Sequence, residues 1–224
     1  MNNREAILAK VRQRLEGREG RVTAEAVGQR IASHGRNLIP KRGQIDAAAQ
    51  VDLFEAKAKD LAASVVRVAS DAEIPTAVAD YLRSQNLPLD IKMAPDPGLR
   101  ALPWQEEPLM KLSEGRAVGS DAVSLTPVAA GVAETGTLAL TSGPETPTTL
   151  NFLPETHIAV LRASQVVGAY EEVFPKLRAR FGEGGMPRTL NFVTGPSRTA
   201  DIEQKIELGA HGPRRLHIIL VEDS

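Results

Sequence analysis

The sequence predicts an α/β fold: an open, mostly parallel sheet with flanking helices, preceded by an N-terminal helical arm. Three observations predict it. Ser64–Ala69 (SVVRVA) and Leu216–Val221 (LHIILV) are short, β-branched, apolar runs, the pattern of strands buried on both faces. Between them, further runs of this kind alternate with stretches of helical period, the β–α–β rhythm of a parallel sheet covered by helices. Ahead of residue 64 the pattern is helical only.

Element by element, residues 3–16 read as a helix because Ile7, Leu8, Val11 and Leu15 fall on one stripe, with Gly17 and Gly20 ending it. Residues 35–43 (GRNLIPKRG) are basic and irregular. A second helix is expected over about 44–63, with Val51, Phe54, Ala58 and Leu61 on one face. Residues 1–50 are therefore set apart as a helical extension, serving either homo-oligomer contacts or simple packing, and 51–224 as the α/β domain. After the Ser64–Ala69 strand, Asp71 is placed to cap a helix over Ile74–Ser84, and Leu89–Met93 is the next strand. Residues 94–116 carry Pro95, Pro97, Pro103, Pro108 and the only tryptophan, Trp104, in a long loop. There Trp104 either covers a pocket or plugs the loop onto the domain.

Val123–Ala133 and Thr137–Thr141 read as two strands meeting at Glu134-Thr135-Gly136, where Gly136 supplies a positive φ. A polar, proline-containing loop follows over 142–149. His157–Arg162 is a strand, Gln165–Phe181 a helix burying Tyr170, Val173, Phe174, Leu177 and Phe181, and Thr189–Val193 a strand. Ala200–Lys205 is expected to be a short helix, and Leu216–Val221 a central strand.

Composition narrows the function. Aromatic residues are only 4% of the 224, so the core rests on Val, Leu, Ile and Ala. The formal net charge is −1 and no basic block stands out, which argues against nucleic-acid binding. There is no cysteine, so these residues can form neither a disulfide nor a thiolate-ligated iron–sulfur cluster. His34, His157, His211 and His217 form no close ligand pair, and no metal site is expected. The start is amphipathic and charged rather than a leader, and no run approaches the roughly 20 apolar residues of a membrane span, so the cytoplasm is the expected location.

Three segments combine strand ends, glycine and polar side chains. In Ala133-Glu134-Thr135-Gly136-Thr137, a carboxylate beside two hydroxyls at a tight turn suits a general base, a nucleophile or a ligand clamp. The competing reading is local turn chemistry. In Thr194-Gly195-Pro196-Ser197-Arg198-Thr199-Ala200-Asp201, a strand runs through glycine and hydroxyls to an expected helix start. Its free N–H groups and Arg198 would favour a phosphate or carboxylate. Asp201 and Glu203 cut against this by answering the helix dipole themselves, and Asp201 has Arg198 and Arg214 as alternative partners. In Gly209-Ala210-His211-Gly212-Pro213-Arg214, His211 is sterically open and exchanges protons near neutral pH, or else it fixes two backbone segments.

Together the stretches Gly131–Leu140 (GVAETGTLAL), Leu153–Val160 (LPETHIAV), Thr194–Glu203 (TGPSRTADIE) and Gly209–Arg214 (GAHGPR) resemble the LUD domain family, its C-type lactate-utilisation members in particular. The resemblance runs from about residue 50 to the C-terminus. It implies a fold like that of the NagB/RpiA/CoA-transferase group, with ligands at the carboxyl ends of strands. It also implies partnership with iron–sulfur proteins that oxidise L-lactate to pyruvate, the clusters sitting on the partners and no cofactor on this chain. The residues that match the motifs are Glu134 and His211 as catalytic candidates, and Thr135, Gly136, Thr137, Gly195, Ser197, Arg198, Thr199, Asp201 and Arg214 as ligand-binding candidates. One departure stands out. Related sequences often carry an arginine shortly before the LP stretch, where residues 146–150 here read TPTTL, so a basic anchor is expected to be missing there. Two other functions are compatible with the residues. One is a free-standing transferase or isomerase acting on a phosphorylated or CoA-linked small molecule, with Glu134 as base or nucleophile. The other is a non-catalytic scaffold docking through its N-terminal helices.

Overall fold

The structure is a computed structural model that describes residues 3–15, 23–36, 38–182, 184–202 and 205–222, with backbone alone for 199–202 and 205–208. It divides into two compact units, residues 1–38 and 39–224. The first contains α1 (Asn3–Leu15) and α2 (Ala24–Ser33). The expected helix over 3–16 is α1; its glycine stop at 17 and 20 lies outside the described residues. Helix α2 is an addition to the sequence reading. Thr23 caps it, its hydroxyl accepting from the Ala26 N–H at 3.1 Å.

The second unit begins its regular structure with α3 (Ala47–Asp60), capped by Asp46, whose carboxylate accepts from the Ala49 N–H at 2.9 Å. Then come β1 (Ser64–Val68), α4 (Ile74–Ser84), β2 (Asp90–Met93), the single turn α5 (Pro97–Arg100), β3 (Lys111–Glu114), β4 (Val123–Pro127), β5 (Ala130–Val132) and β6 (Thr137–Thr141). The rest is α6 (Thr149–Phe152), β7 (Thr156–Arg162), β8 (Val166–Val167), α7 (Tyr170–Phe181), β9 (Leu190–Val193), β10 (Arg198–Ile202), β11 (Lys205–Leu208) and β12 (Arg215–Val221).

Six strands form one sheet in the order β1-β12-β7-β4-β2-β3, every pair parallel. A second sheet has the order β8-β5-β6-β9 and is mixed, with β5 parallel to β8 and antiparallel to β6. The side-chain period of two sorts the central strands between two cores. Ile219, Ile158, Leu125 and Ile91 pack against Ile74, Val78 and Leu82 of α4. Ile218, Leu220 and Leu161 face the other way, onto Phe54 and Ala58 of α3 and Leu138 and Leu140 of the second sheet. A third cluster seats Val173 and Leu177 of α7 on the outer face of that sheet, against Val132 and Ala139.

The chain changes sheet within one residue. The Val128 N–H donates to Val160 O of the large sheet at 3.0 Å, and the next N–H, that of Ala129, donates to Ala139 O of the small one at 3.0 Å. The apolar run expected as one strand over 123–133 is therefore two strands, because each half finds a different partner. Two further expectations are corrected. Residues 166–167 pair with β5, so the helix expected from Gln165 starts at Tyr170. The helix expected over Ala200–Lys205 is part of a β-hairpin, with Arg198 opposite Leu208 and Thr199 opposite Glu207. Backbone pairing outweighs the weak helical preference of so short a segment. Trp104 takes the anchoring role of its two readings, its indole N–H donating to Leu99 O at 2.7 Å while the ring packs on the α4 core.

A candidate anion site at the amino ends of the central strands

The loops that precede a parallel strand gather at its amino end; two such loops, before β7 and β12, meet here with the segment that follows β9. Residues 194–198 and 209–214 are bonded to each other: Ser197 N–H to Pro213 O at 2.8 Å, Gly209 N–H to Ser197 O at 3.0 Å, and His211 N–H to the Ser197 hydroxyl at 3.3 Å. The third loop, 152–155, leads into β7 as 209–214 leads into β12. Together Phe152, Leu153, Glu155, His211, Gly212 and Arg214 line much of a basin of about 420 Å³. Glu155 lies 3.8 Å from Arg214 and 3.9 Å from Arg215, so one carboxylate is shared between two guanidinium groups and the rim keeps a positive excess. Among the described residues, the His211 imidazole has no hydrogen-bond partner.

Gly195 ties this rim to α3. Its φ is +77°, and a Cβ there would sit 2.6 Å from Leu61 O. Arg198 is exposed and donates to the same carbonyl at 3.3 Å, answering an orphan acceptor at the end of α3. The free helix N-terminus expected after Gly195 is absent, because the chain continues as a strand and the Ser197 amide is already engaged. The side chains of Thr199 and Asp201 lie outside the described residues.

The Glu134-Thr135-Gly136-Thr137 turn reaches the same rim through hydroxyls. Thr137 is fully buried, and its Oγ1 lies 2.8 Å from Thr135 Oγ1, 2.8 Å from the Tyr170 hydroxyl and 2.7 Å from Thr194 Oγ1. Gly136, at φ +65°, lies against the backbone of Lys57 and Ala58, where a Cβ would be 2.4 Å from Ala58 N. Glu134 takes different neighbours. Its N–H donates to Gly168 O at 3.1 Å, and its buried Oε2 is 3.5 Å from Arg42 without hydrogen-bonding geometry. The turn and the two loops are thus one connected structure, in which Thr137, Thr194, Ser197, His211 and Arg214 form a chain of neighbours and Glu134 stands apart, sealed under Arg42.

A second opening lies at the carboxyl ends of β4 and β7, the end of the sheet where the resemblance places ligands, although sequence reasoning named none of its residues as site residues. Asp96, Thr141, Thr146, Arg162, Gln165 and Arg180 contribute to a crevice of about 180 Å³. Its polar groups are largely committed. Arg162 forms a two-pronged ion pair with Asp71 at 2.8 Å, Asp96 accepts from Leu99 N–H, and the Gln165 amide bridges Arg162 N–H and Val128 O. Two of the four histidines, His157 and His217, are buried and have an unpaired ring nitrogen. His157 has Nε2 2.7 Å from Thr126 Oγ1 and Nδ1 unpaired; His217 has Nδ1 2.8 Å from Ser64 Oγ and Nε2 unpaired. Burial pushes both imidazoles down to about 4, so both are neutral at physiological pH.

Fold and rim define an α/β protein with a parallel central sheet and a basic, histidine-bearing basin at the strand amino ends. The LUD domain model matches residues 51–221, and the chain belongs to that family. It is 39% identical over 93 residues to Lactate utilization protein C of Geobacillus kaustophilus, 41% of this chain and 39% of that protein; the chain thus spans about two fifths of the length of that relative. Over 194 residues it is 25% identical to Lactate utilization protein C of Bacillus velezensis, covering 86% of this chain and 77% of that protein. The crystal structure of a DUF162 family protein from Deinococcus radiodurans matches with a TM-score of 0.60 at 26% identity, covering 79% of this chain and 99% of that one. Among the described residues no helix is long and apolar enough to cross a membrane.

Proposed function

We propose that the chain serves lactate utilisation as a cluster-free subunit that presents a small 2-hydroxy acid to iron–sulfur partner proteins. Lactate becomes pyruvate by losing two electrons and two protons. These 224 residues, without a cysteine, offer no thiolate for a cluster, so the electrons pass to the partners. The observation that carries the substrate assignment is the pairing of His211 and Arg214 in one basin. Arg214 meets the carboxylate, the His211 imidazole accepts the hydroxyl proton, and the hydrogen on the carbinol carbon leaves with the two electrons to the partner proteins' redox centre. Ser197 holds the His211 backbone, while Thr137, Thr135, Gly136 and Gly195 fix the loops against α3. The carboxyl-end crevice is the weaker candidate because Arg162, Asp96 and Gln165 in it already hold partners. Sealed Glu134 speaks against the transferase reading, in which it would be the base or nucleophile.

The test is titration of the purified chain with L-lactate, followed by reconstitution with the iron–sulfur proteins that co-purify with it. Arg214→Ala should weaken lactate binding at least tenfold, whereas Arg180→Ala in the crevice should leave it unchanged. His211→Gln should lower lactate-dependent dye reduction by the assembly while retaining binding. Equal loss from Arg180→Ala, or full turnover by the isolated chain, would overturn the reading.

A further inference from the structure

On the α4 face of the large sheet, away from the amino-end basin, a groove of about 750 Å³ runs between α4 and the edge strand β1. That volume falls within the range of small-molecule sites, about 300–1,000 Å³. Val66, Val68, Ala72 and Ala77 give it an apolar lining, and Glu73, Asp80 and Glu106 stand exposed around it. No lysine or arginine lines it. Of the nearby guanidinium groups, Arg83 pairs with Glu107 and with Asp80 at the groove's edge, and Arg215 pairs with Glu155.

His217 also lines the groove. It is 4% exposed and stacks on Tyr81 with ring centroids 3.8 Å apart and planes 4° from parallel. The Ser64 hydroxyl has Leu216 O within 3.4 Å as an acceptor and His217 Nδ1 within 2.8 Å. With the Ser64 proton directed to Leu216 O, Nδ1 carries a hydrogen and donates to Ser64, which leaves Nε2 as a lone-pair acceptor. Nε2 is buried and has no hydrogen-bond partner among the described residues. A buried acceptor without a donor is costly, and such a group in a native protein calls for an explanation.

We infer that the groove between α4 and β1 is a binding site for a small organic cation, an amine with an apolar body, whose N–H donates to His217 Nε2. Each part of the groove answers a part of that ligand. The aliphatic floor takes the body, the unpaired nitrogen takes the hydrogen, and the Glu73 and Glu106 carboxylates favour the charge. An anion would meet two like charges and an acceptor where it needs a donor. This site is separate from the lactate basin and does not depend on it.

The experiment uses the full chain and three probes with one aryl body: phenethylamine, phenethyl alcohol and 3-phenylpropionate, followed by calorimetry and saturation-transfer NMR at neutral pH. The amine should bind at least tenfold tighter than the alcohol, and the acid should show no binding at about 10 mM. Ala77→Leu, which fills the floor, should abolish amine binding. His217→Phe keeps a ring on Tyr81 but removes Nε2; it should weaken the amine about tenfold, with folding checked by urea midpoint. Glu106→Gln, a surface change that leaves the fold intact, should weaken the amine severalfold and leave the alcohol unaffected. Equal binding of the three probes, no binding of any, or amine affinity unchanged by both Ala77→Leu and Glu106→Gln would overturn the proposal.

Discussion

Replacing Gly136 by alanine tests whether the hairpin turn is docked on α3 as described. The added Cβ would lie 2.4 Å from Ala58 N, 2.6 Å from Lys57 C and 2.9 Å from Ala58 Cα, all backbone atoms of a helix whose inner face is packed in the core. None of these can swing aside as a side-chain tip can. Forcing such contacts apart costs about 1–3 kcal/mol, and holding alanine at φ +65° adds about 1–2 kcal/mol. The expected loss is about 3–4 kcal/mol, or a fall in Tm of roughly 10 °C for a unit of this size. Urea unfolding followed by circular dichroism would measure it. Gly136→Asn separates the two contributions: asparagine tolerates the left-handed region but carries the same Cβ, so it should recover only about 1 kcal/mol. A loss below about 1 kcal/mol for Gly136→Ala would show that the turn does not rest on α3 and would refute the packing argument for the whole rim.

Three other outcomes are expected. Thr137→Val keeps the shape but removes the hydroxyl that joins Thr135, Tyr170 and Thr194, and should cost about 1–3 kcal/mol in the same urea assay. Phe54→Ala, at a fully buried position against Gly131, should cost about 3–5 kcal/mol and threaten expression of the folded chain. The two buried histidines make stability depend on pH. Folded values of about 4 lie below the ordinary 6.5, so between these limits the unfolded chain binds more protons and stability falls as pH falls. The loss approaches about 3 kcal/mol per histidine near pH 4 and vanishes above about pH 7. Urea midpoints across that window should show it, and His217→Phe should reduce the slope by about half.

Elements whose partners are local were legible in the sequence. Helix α4 has the expected bounds, Ile74–Ser84, because Pro75 suits its first turn and its apolar stripe meets the sheet directly. Strand β12 showed through because burial on both faces leaves an unbroken apolar run. Strand β3 did not. Lys111–Glu114 is a mostly exposed edge strand held by its pairing with β2, and its side chains carry no periodic mark. Nor could the sheet change at residues 128–129 be read, since both halves are equally apolar and only the hydrogen-bond partners differ. At the rim, motif residues 194–198 and 209–214 do come together, but nothing local announced that Glu134 would face Arg42, more than ninety residues earlier. The carboxyl-end crevice draws on six separate stretches of the chain, and its residues had no sequence signature.

The position of β12 has a consequence for how the molecule is made. It lies between β1 and β7, yet it follows every other strand of that sheet in the chain. During synthesis β1 emerges early and has no neighbour until residues 215–221 leave the ribosome and slot in beside it. Until then its exposed edge and the groove-facing valines are open to other nascent chains, which makes this edge the place where a chaperone would be needed most.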